Sequence, residues 1–413
     1  MAKQPRVIVI GGGAAGFFGA IACAAAAPDA QVTLLEAAAK PLGKVRISGG
    51  GRCNVTHHCF DPALLVQHYP RGGKALRGAF SRFQPQDTVN WYRRRGVRLK
   101  TEADGRMFPT TDDSGTIVDC LLSETRRVGV TLRTKAMVAA VEKTAGEFVV
   151  TLKSGERLSG DRLLLATGSS PHGHRIAQKL GHTVAPTVPS LFTFNIPQRS
   201  LHELAGVAVD PVTAKLTVPQ AKPLTQSGPL LITHWGLSGP AVLKLSAWGA
   251  RSLHEADYRA TLTVNWLPAL TADAVRETLL LTKQTVAKRA IANYCPFDLP
   301  KRLWRYWVQQ GGLADTATWA NLSKKALNQL VEAIARGTFT IQGKGVFKDE
   351  FVTCGGIKLS EVNFKTMASR RCPGLYLAGE VLDIDGVTGG FNFQSAWTTG
   401  WLAGQAMAAP DSE

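Results

Sequence analysis

The chain has 413 residues, 45 % of them hydrophobic and 19 % charged, and its 48 lysines and arginines against 31 aspartates and glutamates give a formal net charge of +17. That length and apolar content can bury a core divided over two or three domains, which excludes a disordered chain, and no apolar run approaches the roughly 20 residues of a bilayer-crossing helix. The excess of cations attracts nucleotides, acidic metabolites, nucleic acid and anionic membranes alike, so charge alone selects no partner.

The first element is a strand from Arg6 to Ile10 that runs straight into a glycine turn, which leaves no room for a cleavable signal peptide ahead of the fold. Gly11, Gly13 and Gly16 then stand in the G-x-G-x-x-G order before an Ala-rich helix that opens with Ala14 and Ala15. Gly11 makes the tight turn, Gly13 lets backbone approach a pyrophosphate, Gly16 lets the helix sit close on the strand, and the helix N-terminus favours the phosphates. A second strand, Gln31 to Glu36, ends in a carboxylate placed to accept hydrogen bonds from both hydroxyls of an unphosphorylated ribose.

Between Leu65 and Lys100 lie Arg71, Lys74, Arg77, Arg82, Arg93, Arg94, Arg95, Arg98 and Lys100 against Asp87 alone. Such a run is read first as the solvated face of a helix. Gly129 to Glu142, Glu147 to Leu152 and Arg162 to Ala166 continue an alternation that suits a parallel sheet covered by helices. Leu163-Leu-Leu-Ala-Thr-Gly168 then stands where flavoproteins return the chain to the cofactor, which makes Thr167 and Gly168 candidates.

From 191 to 270 the texture is β-rich, with strand-like runs at Val212 to Val218 and Arg259 to Trp266; from 271 to 345 the spacing is helical. Lys301-Arg-Leu-Trp-Arg-Tyr-Trp307 mixes cations with rings of the kind that stack on bases, yet at helical spacing its aromatics are expected in the core. After Gly345 strands and glycine turns return. Gly374-Leu-Tyr-Leu-Ala-Gly-Glu380 is a strand ending in Gly379 and an acid. In FAD proteins of the glutathione-reductase type such an acid holds the ribityl chain, the role expected of Glu380. Gly389 and Gly390, opening the last helix ahead of Phe391 and Asn392, would offer backbone N–H groups to the pyrimidine edge of reduced flavin.

The expected fold class is therefore α/β, a Rossmann-like FAD-binding domain of the glutathione-reductase type interrupted by an insert. Residues 1–190 and 346–413 form the discontinuous FAD-binding domain, 191–270 a β-rich, barrel-like domain and 271–345 a helical subdomain.

With these residues in place, the chain resembles the BaiN-like or YhiN-like FAD flavoprotein family, whose members include proteins labelled aminoacetone oxidase family and NAD(P)/FAD-dependent oxidoreductase. The resemblance spans nearly the whole chain. It rests on Gly43-Lys-Val-Arg-Ile-Ser-Gly-Gly-Gly-Arg-Cys-Asn-Val-Thr56, Gly105-Arg-Met-Phe-Pro109, Thr233-His-Trp-Gly-Leu-Ser-Gly-Pro240, Val352-Thr-Cys-Gly-Gly356 and Gly379-Glu-Val-Leu-Asp-Ile-Asp-Gly-Val-Thr-Gly-Gly-Phe-Asn-Phe-Gln394. It implies that Ser48, Gly49, Gly50, Gly51, Arg52 and Cys53 wrap the flavin and its pyrophosphate and that Val138 touches the adenine through its backbone. Lys44 is read as a further cofactor contact. Three successive glycines let backbone lie against a flat ring where any Cβ would clash, and Arg52 would add a cation near phosphate or flavin. One departure falls after Ala166-Thr-Gly168, where the family carries a longer glycine-bearing loop and this chain has Ser169-Ser-Pro-His-Gly-His174.

A single dinucleotide fingerprint is present, so the flavin is expected either to be reoxidised by oxygen or to be reduced by NAD(P)H docking transiently. The expected activity is an FAD-dependent oxidoreductase acting on a small molecule. Two alternatives stay open: a thiol-disulfide flavoenzyme using Cys53 and Cys59, and an RNA-associated flavoprotein, suggested by the basic 65–100 segment. His57, His58, His172, His174 and His234 can each relay a proton near neutral pH, and His234 is the catalytic candidate by its place in a family motif.

The seven scattered cysteines exclude a complete disulfide framework and suit a reducing, cytoplasmic setting. Cys53 and Cys59 match no common zinc spacing, and no metal site is expected. Nor are they expected to be a redox pair. Five intervening residues on a helix would turn the second thiol by about 240° from the first, and Asn54-Val-Thr56 favours turn or extended backbone.

Overall fold

Val7 to Ile10 and Leu163 to Leu165 are buried on both faces, the pattern of strands at the middle of a parallel sheet. The computed structural model, which describes residues 4–345 and 352–410, places them side by side. The chain divides into two compact units, Met1–Val188 with Val352–Glu413, and Pro189–Phe351.

The sheet of the first unit runs, in spatial order, Val362–Asn363, Ala368–Ser369, Leu375–Leu377, Arg162–Leu165, Arg6–Ile10, Gln31–Leu35 and Thr131–Arg133. The last five are parallel, with Ile8 between Leu163 and Thr33; the first two form an antiparallel edge. The Leu375–Leu377 strand comes from the far end of the chain and pairs beside Arg162–Leu165.

The first helix, Ala14–Ala26, packs along the last, Phe391–Ala408. Small residues make this contact possible: a Cβ on Gly400 would lie 2.5 Å from the Ala15 carbonyl oxygen, and one on Gly404 would lie 2.4 Å from that of Gly19. Any side chain there would force the two helices apart.

In the second unit, antiparallel strands run in the order Phe194–Asn195, Gly236–Ser238, Leu224–Thr233, Ala208–Thr217, Arg259–Asn265 and Gly337–Gln342. A bridge from Phe194 to Lys344 joins one edge to the other, which gives the insert its barrel-like closure. Helices Ala272–Thr285, Lys301–Gln310 and Lys324–Arg336 bury Leu279, Trp304 and Leu330 in the same apolar cluster as Leu262 and Trp266. The helical stretch thus shares one core with the β-rich stretch and ends in a strand of its sheet. Trp304, Tyr306 and Trp307 are buried in that core, so the rings of the Lys301 to Trp307 segment are not available for stacking on bases. The expected return to the FAD-binding domain at 346 lies outside the described residues. Among the described residues no helix is long and apolar enough to cross a membrane.

Candidate functional site

The glycine turn and the acid of the second strand are locked to each other. Gly11 N–H donates to the Leu35 carbonyl, and the Glu36 carboxylate accepts the Gly12 N–H at 2.8 Å through Oε2 and the Ala38 N–H at 2.7 Å through Oε1. A Cβ on Gly11 would lie 2.3 Å from the Ala166 carbonyl oxygen, which sets the turn against Thr167 and Gly168. A Cβ on Gly16 would strike the Gly11 carbonyl oxygen at 1.9 Å, so the helix can sit this close only with glycine. Gly13, by contrast, faces open space. The helix that follows, opening with Ala14 and Ala15, carries neither a side-chain cap nor an acidic residue in its first turn, so its N–H groups remain for an anion.

Glu380 arrives from the far end of the chain. Its Oε2 lies 2.6 Å from Lys44 Nζ and its Oε1 accepts the Thr353 N–H at 3.1 Å. Gly168 is beside it, and a Cβ on Gly379 would come within 2.8 Å of the Ala15 Cβ. Thr167 Oγ1 and His174 Nε2 are both buried without a hydrogen-bond partner, and burial holds the His174 imidazole below its ordinary pKa. Two orphaned polar atoms this close to an acid are the kind of groups a hydroxyl-bearing ligand satisfies.

The Ser48 to Cys53 segment forms a tight turn, with Gly49 and Gly50 in left-handed conformation and Cys53 also at φ 61°. A Cβ on Gly50 or Gly51 would meet no protein atom, and Ile47 beside them is left exposed. This is a cradle with a free apolar flank. The Asn54 amide, with its oxygen toward the Gly390 N–H at 2.9 Å and its nitrogen toward the Thr56 carbonyl at 3.0 Å, ties this turn to the start of the last helix. Gly389 and Gly390 both have positive φ, and the helix they open has no acidic residue in its first turn.

Several expected contacts are committed elsewhere. The Arg52 guanidinium pairs with Glu102 at 2.6 Å and Asp112 at 3.5 Å and stacks 4.0 Å over the Phe108 ring; its charge is already balanced rather than reserved for phosphate or flavin. The Phe391 ring stacks on His68 at 4.2 Å, and the Asn392 amide bonds both the N–H and the carbonyl of Gly386. These two side chains brace the glycine loop, and only their backbone is left to meet a cofactor. The Val138 carbonyl accepts from His172 Nε2 at 2.7 Å.

The other histidines are spread out. His57 Nε2 donates to the Asp104 carbonyl at 3.1 Å and its ring stacks 4.7 Å from Phe391; His58 is exposed beside Phe60. His234 is exposed in the turn between two strands of the second unit. All seven cysteines are free thiols. Burial pushes Cys53 up to about 12 and also raises Cys59, so neither is a ready thiolate.

Sequence reading missed Gly12, Asn54, Thr353 and the buried network under the last helix. There Gln394 Oε1 accepts from Thr56 at 2.6 Å and Thr88 at 2.9 Å. Asn54, Thr353 and Gln394 all lie inside the motifs that carried the resemblance, but the contact of Thr353 is through its backbone N–H, which has no side-chain signature.

A glycine turn with an uncapped helix, a carboxylate closing the neighbouring strand, and a second acid and helix delivered to the same sheet from the chain's far end define an FAD-dependent oxidoreductase on a Rossmann-type domain. This chain belongs to the HI0933-like Rossmann-domain family, whose model matches residues 5–406. It is 30% identical over 411 residues to a 3-dehydro-bile acid delta(4,6)-reductase of Clostridium scindens, covering 98% of this chain and 99% of that one. It is 32% identical over 419 residues to a ribosomal RNA dihydrouridine synthase of Escherichia coli, covering 98% of each chain. Among solved structures, a 3-ketosteroid-delta4-(5alpha)-dehydrogenase from Rhodococcus jostii matches with TM-score 0.53 at 15% identity, over 99% of this chain and 98% of that one. A flavocytochrome c3 fumarate reductase matches with TM-score 0.51 at 15% identity, over 98% of this chain and 78% of that one. At such identities these two show the fold alone.

Proposed function

We propose that this protein reduces a carbon–carbon double bond conjugated to a carbonyl, and that the bond belongs to a uracil ring in ribosomal RNA. Uridine and dihydrouridine differ by two hydrogens across such a bond, and a 3-oxo compound unsaturated at positions 4 and 6 presents the same electronic arrangement. One reaction class therefore covers the names of both curated relatives. The observation that favours RNA is the net charge of +17, which suits a polyanion far better than a steroid.

Bound flavin supplies the hydride-transfer chemistry at N5. The chain's own residues do the rest of the work in this reading. Glu36 holds the adenosine ribose, Glu380 the ribityl chain, and the N–H groups after Gly390 favour negative charge on the pyrimidine edge of the ring. With one glycine fingerprint in the sequence, reducing equivalents come from NAD(P)H docking transiently. Free cysteines and an RNA substrate both support a cytoplasmic setting.

The second reading, a small conjugated ketone as substrate, is favoured by the bile acid reductase relative. The test is anaerobic. Holoenzyme reduced with NADPH is offered an unmodified ribosomal RNA transcript, free uridine, or a conjugated 3-oxo steroid, while flavin reoxidation and dihydrouracil in the digested RNA are followed. RNA should reoxidise the flavin and gain dihydrouracil. Fast reoxidation by steroid with inert RNA would replace the first reading by the second.

A further inference from the structure

Elsewhere in the first unit several arginines are matched by acids, while the exposed Arg126, Arg157 and Arg175 have none among the described residues. Arg6 pairs with Glu147 and Asp161, Arg127 with Glu124, and Arg133 with Glu156. The 65–100 segment pairs Arg71 with Asp385, Arg95 with Glu124 and Lys100 with Asp112. It folds as helix Gly73–Phe80, helix Pro85–Arg93 and strand Leu99–Thr101. Lys74, Arg77, Arg94 and Arg98 are exposed, and among the described residues none has a carboxylate partner.

These cations are arranged, not scattered. Lys74 and Arg77 share the solvent face of helix Gly73–Phe80, with Ser81 at its C-cap, while Gly73, Leu76, Ala79 and Phe80 fill the opposite face. Arg82, in the turn that follows, donates to the Lys365 carbonyl and so brings a further exposed lysine beside it. A solvated face needs no such one-sided charge, which carries a self-repulsion that nearby acids would relieve.

The helices that carry these cations also support the flavin end of the site. Both pack against the last helix. Thr88 donates to Gln394 at 2.9 Å, and Gln394 lies one turn inside the helix whose first N–H groups follow Gly390. RNA held by Lys74 and Arg77 on one of these helices and by Arg94 and Arg98 after the other is therefore anchored on elements packed against the last helix.

We propose that this face, Lys74, Arg77, Arg82, Arg94 and Arg98 with Lys365, is the phosphate-binding surface on which structured RNA docks. The proposal rests on the RNA reading given above. Phosphate contacts position a nucleic acid without reading its sequence, so the face sets affinity and orientation and leaves the choice of base to the site.

The test compares wild-type holoenzyme with a variant combining Lys74→Gln, Arg77→Gln, Arg94→Gln and Arg98→Gln, and with a control combining Arg126→Gln, Lys153→Gln, Arg157→Gln and Lys179→Gln. The probe is a ribosomal RNA transcript, and Kd is measured against salt concentration. Each lost phosphate contact should reduce the log Kd against log salt slope by about 0.7 to 0.9, so the face variant should lose about 3 from the slope and about tenfold or more in affinity near physiological salt. The control should keep the wild-type slope. FAD content and reduction by NADPH should be unchanged in both variants; should the fourfold variant fail to retain FAD, the Lys74/Arg77 and Arg94/Arg98 double variants are measured instead, each expected to lose half the slope change. A face variant that binds and reduces RNA like wild type overturns the docking face and leaves the RNA reading standing. Wild-type protein that neither binds nor reduces RNA, or that binds anionic lipid vesicles in its place, overturns both.

Discussion

Replacing Glu36 by Gln is the sharpest probe of the cofactor site, because the structure allows its effect to be worked out bond by bond. A carboxylate offers about four acceptor positions. Two are taken by the Gly12 and Ala38 N–H groups, one on each oxygen, which leaves one on each oxygen for the two ribose hydroxyls. Gln keeps a single oxygen and turns an NH2 group toward one of those backbone donors, so one hydroxyl contact is lost and one backbone N–H faces another donor. A charge-assisted hydrogen bond contributes about 1.5 to 3 kcal/mol, which converts to about 10- to 150-fold in FAD affinity; Glu36→Ala should lose both contacts and more. The assay is titration of apoprotein with FAD by quenching of flavin fluorescence, with FMN as a control that lacks the ribose and should not distinguish the variants. If Glu36→Gln bound FAD as tightly as wild type, the ribose would lie elsewhere and the site assignment would fail.

Residues 1–190 expressed alone should not retain FAD, since the Leu375–Leu377 strand, Glu380 and the last helix all come from beyond that fragment; a stoichiometric flavin complex by absorbance would contradict a site built from both chain ends. Cys59→Ser should leave flavin reduction and turnover nearly unchanged, and mass spectrometry of oxidised wild type should find no Cys53–Cys59 disulfide; loss of both would revive the thiol-disulfide reading. Acid should destabilise the first unit through a buried cluster in which His182 meets Glu361 at 3.1 Å and Ser369 at 2.7 Å. Burial holds His182 below its ordinary pKa, and although burial alone would push Glu361 up, the Thr183 N–H and hydroxyl and His182 hold it below the usual carboxylate range. Both groups then contribute stability above their unfolded values, about 6.5 and 4.3, and lose it as pH falls through the lowered folded values. Tm should therefore decline below about pH 6.5, and in Glu361→Gln the further loss below about pH 4.3 that Glu361 carries should be missing; a Tm that rises on acidification would refute the assignment.

What could be read from the sequence was what depends on short spacing. Gly11, Gly13, Gly16 and Glu36 owe their roles to intervals along one strand–turn–helix–strand unit, and the structure places them as that unit requires. The strand Gly337–Gln342 was hidden for a different reason. Its Gly-Thr-Phe-Thr-Ile-Gln alternation has the two-residue period of a half-buried strand, but it begins at the very glycine that caps the preceding helix, so no loop separates the two. Pairings across long separations were out of reach. Nothing local tells Lys44 that Glu380 will stand 2.6 Å away, or Arg52 that Glu102 and Asp112 will claim its charge. For the same reason a basic run and a solvated face look identical in sequence. That Arg71, Arg95 and Lys100 find carboxylates, and that Lys74, Arg77, Arg94 and Arg98 find none among the described residues, emerges only from the fold.

The close contact between the first and last helices carries a cost during synthesis. Ala15, Gly19 and Ala22 are made well before the Gly400 and Gly404 surface that covers them. At about 5 to 20 residues per second the wait is roughly 20 to 75 s. For that interval the central strands lack the Leu375–Leu377 neighbour, and the helix face that will be buried stays open to water and to other nascent chains. The entropic penalty of closing so long a loop grows only slowly with its length, so the hazard is kinetic: the chain commits its nucleotide-binding half only once Gly400 and Gly404 have been made, and a product truncated before them is left with an uncovered helix for chaperones and proteases to recognise.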